Sequence, residues 1–592
     1  MNNMLKGLLV TALAISASHV SAATNQGFLS VPRAQKASLL LDSAIAHDLE
    51  KTNHKDRLGG NLMVRGYYSQ STNKKALGQY FGINNSDSFK AAWGASTNAN
   101  INGTMVNAGY LVHDSNAALG NYVSPGAGAG NAVVAPGLNN GIFLALDTNA
   151  AGLAATVAAI AAAPIKNVAT ITFAPQTTSY GLELGYVQCL SKIVDGLHLS
   201  ISLPIEKVEN NMNLAVTGGA NANDASALTQ FFAGSLAAAQ TAGYLNAGAN
   251  MSGQGQLTKG LIKGVQSATG IADIDVAVGY DFLREENWTA GLNIAMSIPT
   301  GNTPTGQYLF EPIYGNGGHF ELGLGGRVAG KLWHEGDQHI GLSVQADYRY
   351  GFKANETRTL SITKAGIADN LNQYYLVNKV NSAITAEAPF ANSFTLPVSV
   401  TPNSAVRGNL GLNYGNGGFV FGLAYAPSWK QAESVSVAAT VAAATGVMAP
   451  QAGSFSVVTN PAGAAFGGDN TPLIAAGNGG VATLDAAATA GTQIPTVGAP
   501  AVSAGAVAVA AAASTANPTL PNNVTSFAAA DVNANSSLRG SQLGHRIGGD
   551  MGYTFKNWEF PVTIGAGAHY EFANSNAVAE NWGAHLTAGI GF

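Results

Sequence analysis

Charge is scarce in this sequence. Only 10% of its 592 residues are Asp, Glu, Lys or Arg, and 28 basic against 33 acidic side chains leave a formal charge of −5. So small a balance over this length offers no electrostatic footprint for nucleic acid, which is not expected as a partner. The single cysteine, Cys189, rules out an internal disulfide and reads as a small buried residue. Strongly apolar runs of about 18 residues, the length of a membrane helix, are missing beyond the N-terminus. The nearest segments, 151–165 and 501–516, are alanine-rich and too weakly apolar to span. No nucleophile, base and orienting group fall into a recognisable constellation, so no enzyme activity and no cofactor is expected. The glycine-rich "GLGGRVAG" (323–330) has no helical pattern after it and does not read as a phosphate loop.

What is present begins at the N-terminus. "MNNMLKGLLVTALAISASHVSA" has Lys6, then a short apolar core over 8–15, then small residues up to Ala22. This is the pattern of a secretory signal peptide over 1–22, cleaved after Ala22. No cysteine follows, which excludes a lipid anchor there. The next segment, 23–59, contains "KASLLLDSAIAHDLEKT" (36–52), whose apolar spacing predicts a short helix at one mouth of whatever follows.

From residue 60 onward the dominant signal is strict alternation. In "NWGAHLTAGIGF" (581–592), Trp582, Ala584, Leu586, Ala588, Ile590 and Phe592 are apolar, and the residues between them are small or polar. "HIGLSVQADYRYGFK", "ADIDVAVGYDFL" and "WEFPVTIGAGAHYEFA" repeat the period of two over about 11–15 residues, long for a soluble strand and sufficient for a tilted membrane strand. Short links near 191–195, 284–287, 334–337, 416–417 and 557–558 alternate with long spaces near 71–178, 207–271, 300–317, 354–403 and 429–542. Only 573–581 is a short space between pairs. Outer-membrane barrels carry this rhythm of turns and loops.

The expected fold is therefore all-β: an antiparallel transmembrane β-barrel over 60–592, with large extracellular loops at about 71–178 and 429–542. Counting spans gives 12 strands; a further pair near 104–112 and 168–174 would give 14. Asn416-Gly417 predicts a two-residue type I′ hairpin pairing Tyr414 with Phe419, and Asn557-Trp558 predicts the pair Phe555 with Phe560. Aromatics fall at two levels, Tyr280, Phe282, Tyr414 and Phe419 toward the turns and Tyr68, Tyr348, Tyr570 and Trp582 toward the loops, as two membrane interfaces require.

The signal peptide, amphipathic strands and a last strand ending in Phe592 together resemble the bacterial outer-membrane β-barrel family. The resemblance implies location in the outer membrane. It implies that Leu586, Ile590 and Phe592 form the assembly signal read by the barrel-assembly machinery, although Ala588 is smaller than usual. Outer-membrane lipids are implied as partners, and a homo-oligomer is one arrangement that porins adopt.

Polar-face positions should line the interior. The cations are Arg65, Arg327, Lys331, Arg349, Lys353, Arg407, Arg546 and Lys556. The anions are Glu183, Glu206, Asp273, Asp275, Asp281, Glu321, Asp347, Asp550 and Glu571. Arg65, Asp273, Asp275, Glu321, Arg327, Asp347, Arg349, Arg407, Arg546 and Asp550 are the candidate pore-lining set. So many charges need water or partners. One expectation is a hydrated, mixed-charge channel; the other is a barrel closed by its own salt bridges. Facing positions on the strands around 334–337 predict a Glu321–Arg349 pair, with Asp347 as second acceptor and a stabilisation of about 0–1 kcal/mol in water. His319, His339, His545, His569 and His585 fall on polar faces at different depths, so no metal site is expected. The segment 431–538 is low in complexity and has no Lys or Arg. The functional expectation is a porin-like channel for passive diffusion of small hydrophilic solutes. The competing one is a structural or adhesive barrel displaying its long loops.

Overall fold

The computed structural model describes residues 59–81, 87–93, 142–143, 167–218, 229–230, 232–235, 257–362, 376–380, 384–437, 455–458, 524–527, 532–575 and 580–592. The expected signal peptide, the helix over 36–52, the strand near 104–112 and most of the two largest loops lie outside these residues. Among the described residues no helix is long and apolar enough to cross a membrane. Strands take that role.

Twelve of them form one closed antiparallel ring. They are β1 (Gly60–Ser71), β2 (Gln176–Cys189), β3 (Leu197–Asn211), β4 (Ile274–Arg284), β5 (Trp288–Ile298), β6 (Glu321–Glu335), β7 (Gln338–Gly351), β8 (Asn403–Asn416), β9 (Phe419–Lys430), β10 (Gln542–Phe555), β11 (Val562–Ser575) and β12 (Asn581–Gly591). Each pairs with its neighbour in sequence, and β1 pairs with β12 as well as β2, which closes the ring. Closure leaves no sheet edge to be satisfied by water, the condition for strands to cross a bilayer. The alternative of 14 is not realised: Asn167–Thr172 is a strand, but it belongs to a separate four-stranded sheet.

The period of two separates two surfaces. Leu182, Leu292, Leu324, Leu412, Leu423, Ile547, Ile564 and Leu586 point outward and are between 50% and 69% exposed. Their strand neighbours Arg65, Glu183, Asp281, Asp347, Asp550 and Glu571 point inward and are at most 5% exposed. A soluble protein would not clothe its whole girth in exposed leucine and isoleucine; a hydrocarbon environment requires it. Aromatics mark both ends of the apolar belt. Tyr68 and Trp582 pack with centroids 5.5 Å apart at the loop end, and Phe419 and Tyr553 at 4.7 Å at the turn end.

Two turn registers differ from expectation. Tyr414 faces Phe421, not Phe419, and Asn416 faces Phe419. The central pair is thus Gly417-Gly418, with Gly417 at φ 59°, the conformation a type II′ hairpin needs at its first central position. Gly418 sits where a Cβ would lie 2.6 Å from the Thr554 carbonyl, so the neighbouring strand requires this glycine. Phe555 likewise faces Val562 rather than Phe560. Both shifts are of two residues, so neither moves a side chain to the opposite face.

Besides bulges in the β4–β5, β6–β7 and β10–β11 ladders, the wall changes its pairing at β3. β3 pairs with β4 over Leu197–Ser202, then with a separate strand, Val265–Ile271, over Ile205–Asn211. Pro204 stands at the changeover, where a missing backbone donor does least harm. The Pro204 carbonyl accepts from Ala272 N–H at 2.9 Å. Beyond the loop end of the ring, Ala354–Thr359, Thr395–Thr401 and Ser434–Val437 form a three-stranded sheet that prolongs β7, β8 and β9. Leu360, Leu396, Val398 and Val400 make its small core, with Val435, Val437 and Val532 against it.

Candidate functional site

Among the described residues the inner face of the barrel gathers most of its buried charge, and its geometry depends on glycine. On β5, Gly291 lies between Asp281 of β4 and Arg327 of β6, as cross-strand partner of both. A Cβ there would lie 2.1 Å from Asp281 Oδ1. Without it, Arg327 crosses the full width of β5 and donates to Asp281 Oδ2 at 3.0 Å. Other large inward side chains also lie against the wall over glycines. Asn293 covers Gly325, His339 covers Gly415, and His585 covers Gly567.

The candidate pore-lining residues fall into distinct groups. Asp275, Glu321, Arg327, Asp347, Arg349 and Arg407 share the arc from β4 to β8. Arg349 donates to Asp347 at 2.9 Å and to Asp275 at 2.8 Å. Asp275 is on β4 and Arg349 on β7, so this pair spans two intervening strands and cuts across the curve of the wall. Asp275 takes the hydrogen bond expected of Glu321, whose charge still acts on Arg349. The register sets Arg349 opposite Gly323 and leaves Glu321 diagonal to it, opposite Gly351. Asn316 approaches Glu321 instead, at 3.3 Å. Asp347 is the second acceptor that was expected. The energetic expectation also changes. The side chains of Arg349, Asp347 and Asp275 are 9%, 6% and 15% exposed. At that burial, removing one partner costs on the order of 3–5 kcal/mol rather than the surface value.

Arg65, Arg546, Asp550 and Asp273 lie elsewhere on the ring. Arg65 faces Glu183 and Thr587 across its two ladders. Ser202 Oγ donates to Glu183 Oε1 at 2.7 Å. Arg546 faces Glu571 and donates to it at 3.4 Å. Asp550 is buried opposite Gly422 and Gly567. Asp273 sits in the break before β4, fully buried, accepting from Asn316 N–H at 2.7 Å and Gly301 N–H at 3.3 Å. It ties down the 299–320 connection rather than facing open lumen. Leu586, Ile590 and Phe592 are on the outer face, 69%, 37% and 49% exposed.

One histidine was misplaced by its polarity. His545 is on the outer face, not the inner. It stacks between Tyr425 and Phe572, with centroids at 6.0 and 5.2 Å, and Tyr425 Oη lies 2.8 Å from its Nδ1. His319 is fully buried between the Phe352 carbonyl at 2.9 Å and Glu356 Oε1 at 2.8 Å. Among the described residues no group of three or more His, Cys, Asp or Glu is placed to hold a metal.

Sequence reasoning missed a recess at the loop end of the lumen. It holds about 670 Å³ of empty space, including space open to solvent, between the ends of β6 to β10. Its lining includes Glu321, Arg349, Arg407, Lys430, Glu433 and Arg539. Lys430 ends β9 on the inner face, opposite Ala405. The alternation of β9 could have flagged it, but "APSWK" loses the apolar beat at Pro427 and Ser428.

No protein-family model matches the chain, and no curated protein matches it. Solved barrels do resemble it in outline. One is the COG4313 outer membrane channel from Pseudomonas putida F1, at 10% identity and TM-score 0.32, covering 91% of this chain and 98% of that one. A Pseudomonas aeruginosa FadL homologue aligns at 7% identity and TM-score 0.24, covering 91% of both chains. The Ralstonia pickettii toluene transporter TbuX aligns at 9% identity and TM-score 0.23, covering 96% and 98%. Identities and scores this low assign neither a family nor a solute; the closed twelve-stranded ring and its apolar belt stand on this chain's own registers and exposures.

Proposed function

We propose that this protein is a bacterial outer-membrane channel, and that its solutes are small and hydrophilic. The observation that supports this reading most is the charged inner face over the arc from β4 to β8, where Asp281–Arg327 and Asp275–Asp347–Arg349 line the wall. Charged groups that line a passage favour solutes that replace water as hydrogen-bond partners and disfavour apolar ones. The ion pairs narrow the lumen, so a low unitary conductance fits this geometry better than a wide general pore.

The test is conductance of the refolded full-length protein in a planar bilayer, beside liposome swelling with small sugars and with an apolar solute such as toluene. Ohmic channels with sugar permeation are the expected result. Transport of toluene without sugar permeation would replace the hydrophilic reading, and a silent bilayer would favour a closed barrel that displays its loops. Arg349→Ala leaves Asp275 and Asp347 without their shared cation. The reversal potential in a salt gradient should then move toward the cation value; an unchanged potential in a conducting variant counts against Arg349 as a lining residue.

We further propose that Leu586, Ile590 and Phe592 act as the assembly signal. Phe592 is held by paired backbone bonds to Gly60, N–H to carbonyl in both directions at 2.8 and 2.9 Å, and its ring covers Gly60. Deleting Phe592 should lower the amount of heat-modifiable barrel in outer membranes several-fold, while refolding of the purified chain in detergent changes little. Equal loss in both settings would make the residue structural instead.

A further inference from the structure

We infer that the loop-end recess is a binding site for the carboxylate of a small organic monoanion, seated over Ala405. The inference deepens the channel reading and borrows its physiological sense from it, but its geometry is separate. Ala405 on β8 faces inward, and its cross-strand partners are Arg349 on one side and Lys430 on the other. Cross-strand partners share a face, and Arg407, two residues along β8, shares it too. Three cations from three successive strands thus surround one methyl group, and all four residues line the recess.

These charges are not equally compensated. Arg349 is held by Asp275 and Asp347. Asp347 is also the cross-strand partner of Arg407, but its carboxylate is engaged at 2.9 Å by Arg349. Arg407 has no hydrogen-bond or ion-pair partner among the described residues, and it lies diagonal to Lys430 on the same face. Like charges at adjacent positions repel, and an anion between them relieves the repulsion. The guanidinium fork of Arg407 matches two carboxylate oxygens, and Lys430 adds a point charge.

The recess also selects against higher charge. Glu321 and Glu433 line it as well. A sulfate dianion is repelled twice as strongly by these carboxylates and loses far more hydration on entering, so a monoanion is the better fit. The absence of a large side chain at Ala405 leaves room for the acid's carbon skeleton.

The experiment uses the refolded full-length protein and acetate as probe. In planar bilayers at constant ionic strength, acetate should reduce the chloride current in a saturable way, and sulfate should not. Arg407→Ala should raise the half-effective acetate concentration about tenfold, the scale of one charge-assisted hydrogen bond, and Arg407→Lys should recover part of it. In parallel, broadening of the acetate carbon resonance by the protein reads binding without conduction. Broadening that disappears in Arg407→Ala, with a silent bilayer, would sustain the site and defeat the channel reading. Equal broadening in wild type and variant, or sulfate competing as well as acetate, would overturn the site. Heat-modifiable migration verifies that each variant is folded; if Arg407→Ala is not, Lys430→Gln carries the same expectation.

Discussion

Replacing Arg358 by methionine is expected to dismantle the three-stranded sheet above the barrel while leaving the barrel itself assembled. Arg358 is 4% exposed and joins three separate segments. Its guanidinium donates to Glu356 on its own strand, to Glu433 beyond β9 at 2.7 Å, and to the Ser537 carbonyl at 2.7 Å. Glu433 in turn accepts from Arg539, and Glu356 accepts from His319. Burial alone would drive the guanidinium toward neutrality, but Glu433 and Glu356 together hold its pKa above the usual arginine value. Methionine keeps the length of the stem and removes the charge, leaving two carboxylates buried against the small Leu396–Val398–Val400 core. Breaking a buried pair from one side costs about 3–5 kcal/mol. A core of so few aliphatic side chains cannot offset that. Hydrogen exchange should show lost protection over 354–359, 395–401 and 434–437, with the amides of β7 to β9 inside the ring still protected. Unchanged protection in the upper sheet would mean that the apolar core, not the charge network, holds it.

Leu292→Lys should impair the barrel itself, and Asn293→Lys should not. Leu292 lies near the middle of β5 and is 62% exposed on the outer face. Asn293, its neighbour, faces inward over Gly325. A lysine at the bilayer midplane costs about 2–4 kcal/mol, while a lumen position tolerates charge. Reversible unfolding in lipid vesicles by guanidinium measures the difference directly. Similar unfolding free energies for the two variants would show that β5 does not have a lipid face and a lumen face as assigned.

Each prediction depends on a feature of different legibility. The outward position of Leu292 was readable in "WTAGLNIAMSI", because alternation is a property of a single strand. The role of Arg358 was not. It depends on Glu433 and Ser537, far along the chain, which meet Arg358 only once β7, β8 and β9 extend above the ring. The histidines show the same limit. His545 has a polar side chain, and polarity suggested the lumen; its partners Tyr425 and Phe572 come from the two flanking strands and form an aromatic sandwich on the outer face.

By itself, the sequence determined the class of fold and the face of most side chains, and it left twelve strands or fourteen. The first two follow from the period of two and the rhythm of short and long links, which are local and survive any rearrangement of neighbours. It could not determine the turn register at Gly417-Gly418 or at Phe555–Val562, because a slip of two residues moves every partner but changes no face. Only the tertiary structure decided those registers, through contacts such as Gly418 against the Thr554 carbonyl. It also decided the ion partners on the inner wall. A sheet read as flat allows Arg349 to reach only its immediate neighbours, of which Glu321 was one. Closing twelve strands into a ring curves the wall, and across that curve Asp275, three strands away, comes within 2.8 Å of Arg349.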